Sequence, residues 1–354
     1  MKLSKCNSNI LYLVRIIAAQ TVLLGHLFNF FKISPFAEQK YFPHIQSLAV
    51  IVFFLLSGFL TDYSAQNKPK GYSFSKYMKA HIFRIYSFFL VALLFIFAID
   101  RLIIVFGKYP HTDSYNIVTF ITNFFMLPLV FQPFGSGKPL WTLFIEWWLY
   151  IAYGYFFFNC KETKNGTIRP LRILIGCLLF TIPLGSYMQA AAEGAMTIYA
   201  FGFGILCNRI YAKINTSKIC ISFTITLMAF LFSCFYFKNA YHILTVIFLS
   251  LLFLHMLVLG KERPSKTSEK KQHILKFLSG TTYPLYLIHY TVIEFFLFTP
   301  FIQLKVLQFI LSAVVSNLIA ILLYILLTPK KQSPPLLEGN NYNPNPILST
   351  DKEF

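Results

Sequence analysis

Apolar residues in this chain come in long blocks, separated by short polar and basic connections. Runs of this kind cover residues 10–31, 44–63, 84–106, 141–158, 171–188, 194–211, 219–237, 240–259, 280–298 and 306–327. A helix needs roughly 20 apolar residues to cross the hydrocarbon core of a bilayer, and each run is close to that length. So much apolar surface is expected of a protein whose outer face meets lipid rather than water. The pattern therefore predicts an all-α, polytopic transmembrane helix bundle of about ten spans. A further apolar stretch at 117–131 is short and closes with Pro128 and Pro133. It reads as a re-entrant or interfacial segment.

Charge fixes the direction of the spans. The chain carries 31 Lys and Arg against 13 Asp and Glu, a net charge of +18. The basic residues do not form one face, as nucleic-acid binding would require; they cluster in alternate connections. With the N-terminus in the cytoplasm, the inner connections hold Lys68, Lys70, Lys76, Lys79 and Arg84, then Lys161 to Arg172, Arg209 to Lys218, and Lys261 to Lys276. The outer ones hold only Lys32, Lys40, Arg101, Lys108, Lys138, Lys238 and Lys305. This is the positive-inside distribution, and a complete crossing at 117–131 would destroy it. Both termini are expected in the cytoplasm.

Composition agrees: 56% of residues are hydrophobic, only 12% are charged, and Phe alone occurs 41 times. Soluble domains carry roughly 25% charged residues. The first apolar run lacks a small-residue cleavage site, so it is expected to remain as a span. The six cysteines show no metal-type spacing and none falls in a segment assigned to the outside, so neither a disulfide nor a structural metal is expected. Residues 1–331 read as one membrane domain. The Pro- and Asn-rich stretch 332–354 reads as a disordered cytoplasmic tail.

Four ionisable residues fall inside spans, where such groups are costly and mark function by default: Arg15, His26, Glu146 and His289. Arg15 and His26 are eleven residues apart in the first span, on nearly one face and roughly 16 Å apart along the axis. Glu146, in WTLFIEWWLY, counts as close to the outer end of its span, at the level of His26. His289, in TYPLYLIHY, counts as low in its span, at the level of Arg15, with Glu294 further out. A His26–Glu146 pair is expected, since a carboxylate would relieve the cost of both groups and orient the imidazole as a base.

The same residues lie in a series of motifs. LVRIIAAQTVLLGHLF resembles the first-span signature of the acyltransferase-3 family, with Arg15 and His26 at its Arg and His. VFFLLSGFL resembles the second-span FFxxSGF pattern, and SKYMKAHIFRIYS the cytoplasmic RxxR segment. WTLFIEWW resembles WSLxxEW, and TTYPLYLIH a late SYxxYLxH motif. All five occur in the family's order. The chain departs from the pattern at His81, which replaces the first Arg of RxxR, at Ser87 after the Tyr, at Thr142 after Trp141, and at Thr281 or Thr282 before Tyr283.

The resemblance implies an integral O-acyltransferase of a bacterial cytoplasmic membrane. An acyl group, most often acetyl, would pass from cytoplasmic acyl-coenzyme A to a hydroxyl of a cell-surface polysaccharide or lipid-linked sugar. Acyl-coenzyme A would be a co-substrate, with no permanently bound cofactor, and the partners would be lipid, glycan and a second copy of the chain. Arg15, Lys79, His81 and Arg84 would face the donor. His26 would be the catalytic base or transient acyl carrier, with Glu146 its orienting partner. Trp141, Thr142, Tyr283 and His289 would line the acceptor or its path, with Trp147 and Trp148 adding aromatic surface. The competing reading is a glycolipid or polysaccharide exporter or assembly protein without chemistry, which would need a polar path but no coenzyme A site.

Overall fold

The computed structural model describes residues 3–32, 43–127, 132–160, 170–190, 192–214, 219–261 and 267–328. Among these, every regular element is helical: α1 (Lys5–Phe31), α2 (Ile45–Gln66), α3 (Phe74–Phe106), α4 (Ile117–Phe124), α5 (Leu140–Asn159), α6 (Pro170–Ala190), α7 (Ala192–Tyr211), α8 (Ile219–Phe237), α9 (Ile243–Leu259), α10 (Glu269–Phe298) and α11 (Lys305–Leu327), with a 3-10 turn at Thr112–Ser114. Each apolar run falls on a helix. Helices α1, α2, α3 and α11 are long and apolar enough to cross a membrane by length and composition, and shorter apolar stretches occupy Pro170–Ile182, Ser222–Phe237 and Ile243–Leu259.

Two helices begin about a third of their length before the apolar pattern does. Helix α3 starts at Phe74, where Ser73 Oγ accepts from the Lys76 amide, and α10 starts at Glu269, where Ser268 Oγ accepts from the Lys271 amide. Such caps satisfy first-turn amides that hydrophobicity does not register. At 33 residues, α3 is roughly 50 Å long, well beyond the ~30 Å hydrocarbon core, so its basic first turns project from the membrane.

Helix α2 forms the centre. It packs most extensively on α7, also on α1, and touches α5 and α9. The α2–α7 contact depends on two glycines. A Cβ at Gly58 would stand 2.0 Å from the Phe201 carbonyl oxygen, and one at Gly204 2.2 Å from that of Leu55. Backbones at this distance admit no side chain, which is how small residues join helices in lipid, where no hydrophobic force drives them together. A buried polar knot reinforces the joint. Asp62 of α2 accepts from Asn208 Nδ2 at 2.6 Å, from Arg209 Nη2 at 2.6 Å and from Tyr153 of α5 at 2.7 Å. Helix α10 packs on α11, α1 and α3. Helices α3, α8 and α11 leave large apolar side chains exposed, among them Leu94, Val105, Phe232 and Leu318, a surface for lipid.

The stretch at 117–131 is only partly helical. Helix α4 is eight residues long, capped by Asn116, whose Oδ1 accepts from the Thr119 amide at 2.9 Å. Residues 128–131, like the tail 332–354, lie outside the described residues. Asn123 of α4 holds the chain that follows: its Nδ2 donates to the Gln132 carbonyl, and its Oδ1 accepts from the Phe134 amide at 3.0 Å. That chain turns inward. Asp100 of α3 accepts from the Ser136 amide at 2.9 Å and from the Tyr109 hydroxyl at 2.7 Å, and Ser136 Oγ donates to Thr291 of α10 at 2.7 Å. Burial, and then the Asp100 charge, push the Tyr109 phenol well up, so it donates throughout the physiological range. As a result α5 begins inside the protein.

Candidate functional site

The ionisable residues of the interior fall into two tiers. The lower gathers around Glu146 of α5. Its carboxylate accepts from the Ser57 hydroxyl of α2 and from the Tyr150 hydroxyl, the latter at 2.5 Å. Arg15 of α1 feels the charges of Arg84 and Glu146 and the phenols of Tyr150 and Tyr283. Tyr283 of α10 donates to the Ile85 carbonyl of α3 at 3.3 Å, and the Arg84 guanidinium stands 5.9 Å from the Tyr150 ring centre. Four different helices thus bring two arginines, one carboxylate and two phenols together. Arg15, Ser57, Glu146 and Tyr283 are all half-buried, enclosed by helices yet reachable from within.

This tier continues along α3. The His81 ring is sandwiched between Tyr77 (4.1 Å) and Tyr150 (5.0 Å), and its Nδ1 lies 3.0 Å from the Tyr77 carbonyl. Arg84 is exposed one turn along the same face, and Lys68 acts on both His81 and Arg84. Lys79 is exposed as well, but two residues before His81 it points about 200° away around the helix, given 100° per residue. Of the expected donor-side cations, the structure joins Arg15, His81 and Arg84 and leaves Lys79 apart. Lys68 is the addition; in the sequence it was one member of a long basic cluster.

The upper tier is built on histidine. His26 of α1 faces His289 of α10, ring centres 5.3 Å apart, with the Tyr290 ring edge-on at 5.2 Å. His289 is 1% exposed. Its Nδ1 lies 2.8 Å from the Tyr286 carbonyl and 3.1 Å from that of Leu285. Carbonyls only accept, so Nδ1 carries the proton and Nε2 is left with a bare lone pair and no partner among the described residues. Further out, His111 Nε2 contacts both carboxylate oxygens of Glu294, at 2.8 and 3.0 Å.

The expected His26–Glu146 pair is therefore corrected. Glu146 shares its tier with Arg15, and His289 shares its tier with His26. Both errors of depth have a structural cause. The chain before α5 folds inward as far as Thr291, so Leu140 starts deep and Glu146 lies deeper still. Helix α10 begins at Glu269, not 280. His289 is therefore roughly 30 Å along it, much as His26 is along α1. Thr142 and Tyr286 sit between the tiers, their hydroxyls 2.5 Å apart and both directed at the Pro139 carbonyl. The tryptophans are used in packing. Trp147 is buried against the Tyr86 ring, Trp148 Nε1 donates to the Met126 carbonyl at 2.9 Å, and Trp141 is partly buried in the main core. Ser57, Tyr150, Tyr286 and Tyr290 escaped sequence reasoning because hydroxyls are common in spans and carry no charge to signal them.

A family model described as an acyltransferase domain matches residues 9–325, nearly the whole chain. No curated protein and no solved structure matches. The matched region contains every residue named in the two tiers, and the Arg, His and Glu of the expected motifs all lie within them. On that evidence the chain belongs to the acyltransferase-3 family of integral membrane acyltransferases.

Proposed function

We propose that the protein is an O-acyltransferase of about ten spans in a bacterial cytoplasmic membrane, both termini inside. It moves an acyl group, in the first instance acetyl, from cytoplasmic acyl-coenzyme A to a hydroxyl of a cell-surface polysaccharide or lipid-linked sugar. The supporting observation is the stacking of the two tiers: an arginine-bearing one toward the inner face and a histidine-bearing one about three helical turns above it.

The lower tier suits the donor. Coenzyme A is polyanionic, and Arg84 with Lys68 offers charge-assisted contacts to its phosphates at the inner face, beside the His81 ring. The thin pantetheine arm then passes Arg15 and Tyr283, so that the thioester arrives below His26. There His26 takes the proton of the acceptor hydroxyl as that oxygen attacks the thioester carbonyl. The carbon–sulfur bond breaks, the new ester carries the acyl group, and the proton goes to the departing thiolate. Charge therefore balances within the site. Transfer of label from acetyl-coenzyme A by the purified protein, and the mass of the surface glycan with and without the gene, test this reading. A glycan whose mass does not change, beside unaltered export, would sink it; altered export with no change in acyl content would favour a transporter.

Arg84→Ala is expected to weaken acyl-coenzyme A binding about 10- to 100-fold, the loss of one charge-assisted contact worth roughly 1.5–3 kcal/mol. His81→Arg restores a second arginine and is expected to preserve activity or raise it. Unchanged affinity for acyl-coenzyme A in Arg84→Ala would remove the phosphate role.

Orientation is tested separately. A cysteine at position 108 is expected to react with an impermeant thiol reagent in intact cells, and one at position 68 only after the membrane is opened. Equal labelling at both positions would refute the topology.

A further inference from the structure

Residues 107–116 and 132–137 run from the end of α3 to α10 and hold one another: the Gly135 amide donates to the Ser114 carbonyl at 3.3 Å, and the Tyr115 and Phe134 rings lie 5.0 Å apart. The two sides of this segment are held by different chemistry. On the α3 side the contacts are mainly aromatic. Tyr115 stacks on Phe97 at 5.6 Å, and Phe134 meets Phe97 at 6.4 Å and Phe120 of α4 at 5.2 Å. Buried Asp100 adds its bonds to Tyr109 and Ser136 there. On the α10 side polar groups make the join. The Lys108 amide donates to the Phe298 carbonyl at 3.2 Å, His111 Nε2 meets the Glu294 carboxylate, and Ser136 Oγ donates to Thr291.

The difference decides which side parts more easily. A polar contact given up to water is re-bonded by solvent, so its net loss is small; parting stacked rings exposes apolar surface that water does not repay. Segments that move are drawn from those held by few apolar contacts. The α3 side is therefore a hinge and the α10 side a clasp. The closed clasp also has a cost of its own, since the Glu294 carboxylate is only 1% exposed and regains its hydration when the seam parts.

The seam begins where the histidine tier ends. Thr291, Glu294 and Phe298 succeed one another about a turn apart along α10, and Tyr290, one turn before Glu294, is the ring edge-on to His26. We infer that residues 107–116 and 132–137 form a strap, hinged on α3 and clasped to α10 by His111 and Glu294, whose release opens the histidine tier to the outside. The strap rests on the acyltransferase reading for which side is outside and for what enters; the clasp itself does not. His111 and Glu294 are then gating residues that touch no reacting atom.

The test uses the full-length purified protein with Thr291→Cys as reporter, because that side chain is fully buried beneath Ser136. Its reaction with a water-soluble maleimide, followed by peptide mass, is expected to be slow. It should become about tenfold faster or more once His111→Leu leaves Glu294 without its clasp. Combining His111→Leu with Glu294→Leu exchanges a join that water can open for one that it cannot. Labelling should then return to the slow rate, and acyl transfer from acetyl-coenzyme A, measured without the reporter, should fall about tenfold or more at an undiminished melting temperature. A contact that merely braces the fold would let this double variant keep its transfer. The unaltered protein gives a check that needs no substitution: the amides of residues 108–116 should exchange with deuterium well before those of residues 290–298. Labelling unmoved by His111→Leu, a strap as protected as α10, or full transfer by the double variant would overturn the inference. A strap that responds in a protein that transfers no label at all would leave the gate standing and refute the acyltransferase reading instead.

Discussion

Replacing His26 by alanine is expected to abolish acyl transfer while leaving the protein inserted and folded. Insertion depends on the apolar length of α1, which this change does not shorten. A positioned acid–base group typically contributes 10²–10⁴ in rate. His26 fits that role by position. It is half-buried, faces His289 and Tyr290, and stands above the arginine tier through which the donor would arrive. His289→Ala should also be severe, since its lone pair lies beside the same site. If the two histidines act as a unit, the double variant will be little worse than His26→Ala alone. Acyl groups on the surface glycan, measured at matched protein levels, decide the matter. Near wild-type acylation by folded His26→Ala would reject the assignment.

The second large effect concerns Arg15 and Glu146, which act on each other inside the membrane. Removing Glu146 leaves the Arg15 guanidinium without its neighbouring carboxylate in a site enclosed by helices. Glu146→Leu should therefore lower thermal stability markedly, and it also deprives the Ser57 and Tyr150 hydroxyls of their acceptor. Arg15→Met should be milder, because Glu146 keeps the Ser57 and Tyr150 hydroxyls as partners. Combining the two changes removes both charges and should recover much of the lost stability, while donor use stays impaired. Melting temperature and acyl-coenzyme A dependence, measured on the two single variants and the double, separate these effects. A double variant as unstable as the sum of the singles would show that the two charges do not compensate one another.

Much of this protein was legible in its sequence because lipid imposes simple rules. Every backbone group in hydrocarbon must be bonded within its own helix, so long apolar runs dictated the helices, and each run coincides with one. The intramembrane arginine, histidines and glutamate stood out because solvation makes them rare there. Motif order then pointed to the family that the match over residues 9–325 establishes. Pairing was another matter. Depth counted from the edge of an apolar run assumes that every helix starts at the membrane surface. Helix α5 starts inside the protein, because Asn123, Asp100 and Thr291 draw the preceding chain inward through hydrogen bonds between residues far apart in sequence. Helix α10 starts early, because Ser268 caps a polar turn that hydropathy passes over. Local sequence thus determined which residues are helical and which are out of place in lipid. Only the tertiary structure decided that Glu146 belongs with Arg15 and His26 with His289, since depth in this fold is set by long-range contacts that no local pattern encodes.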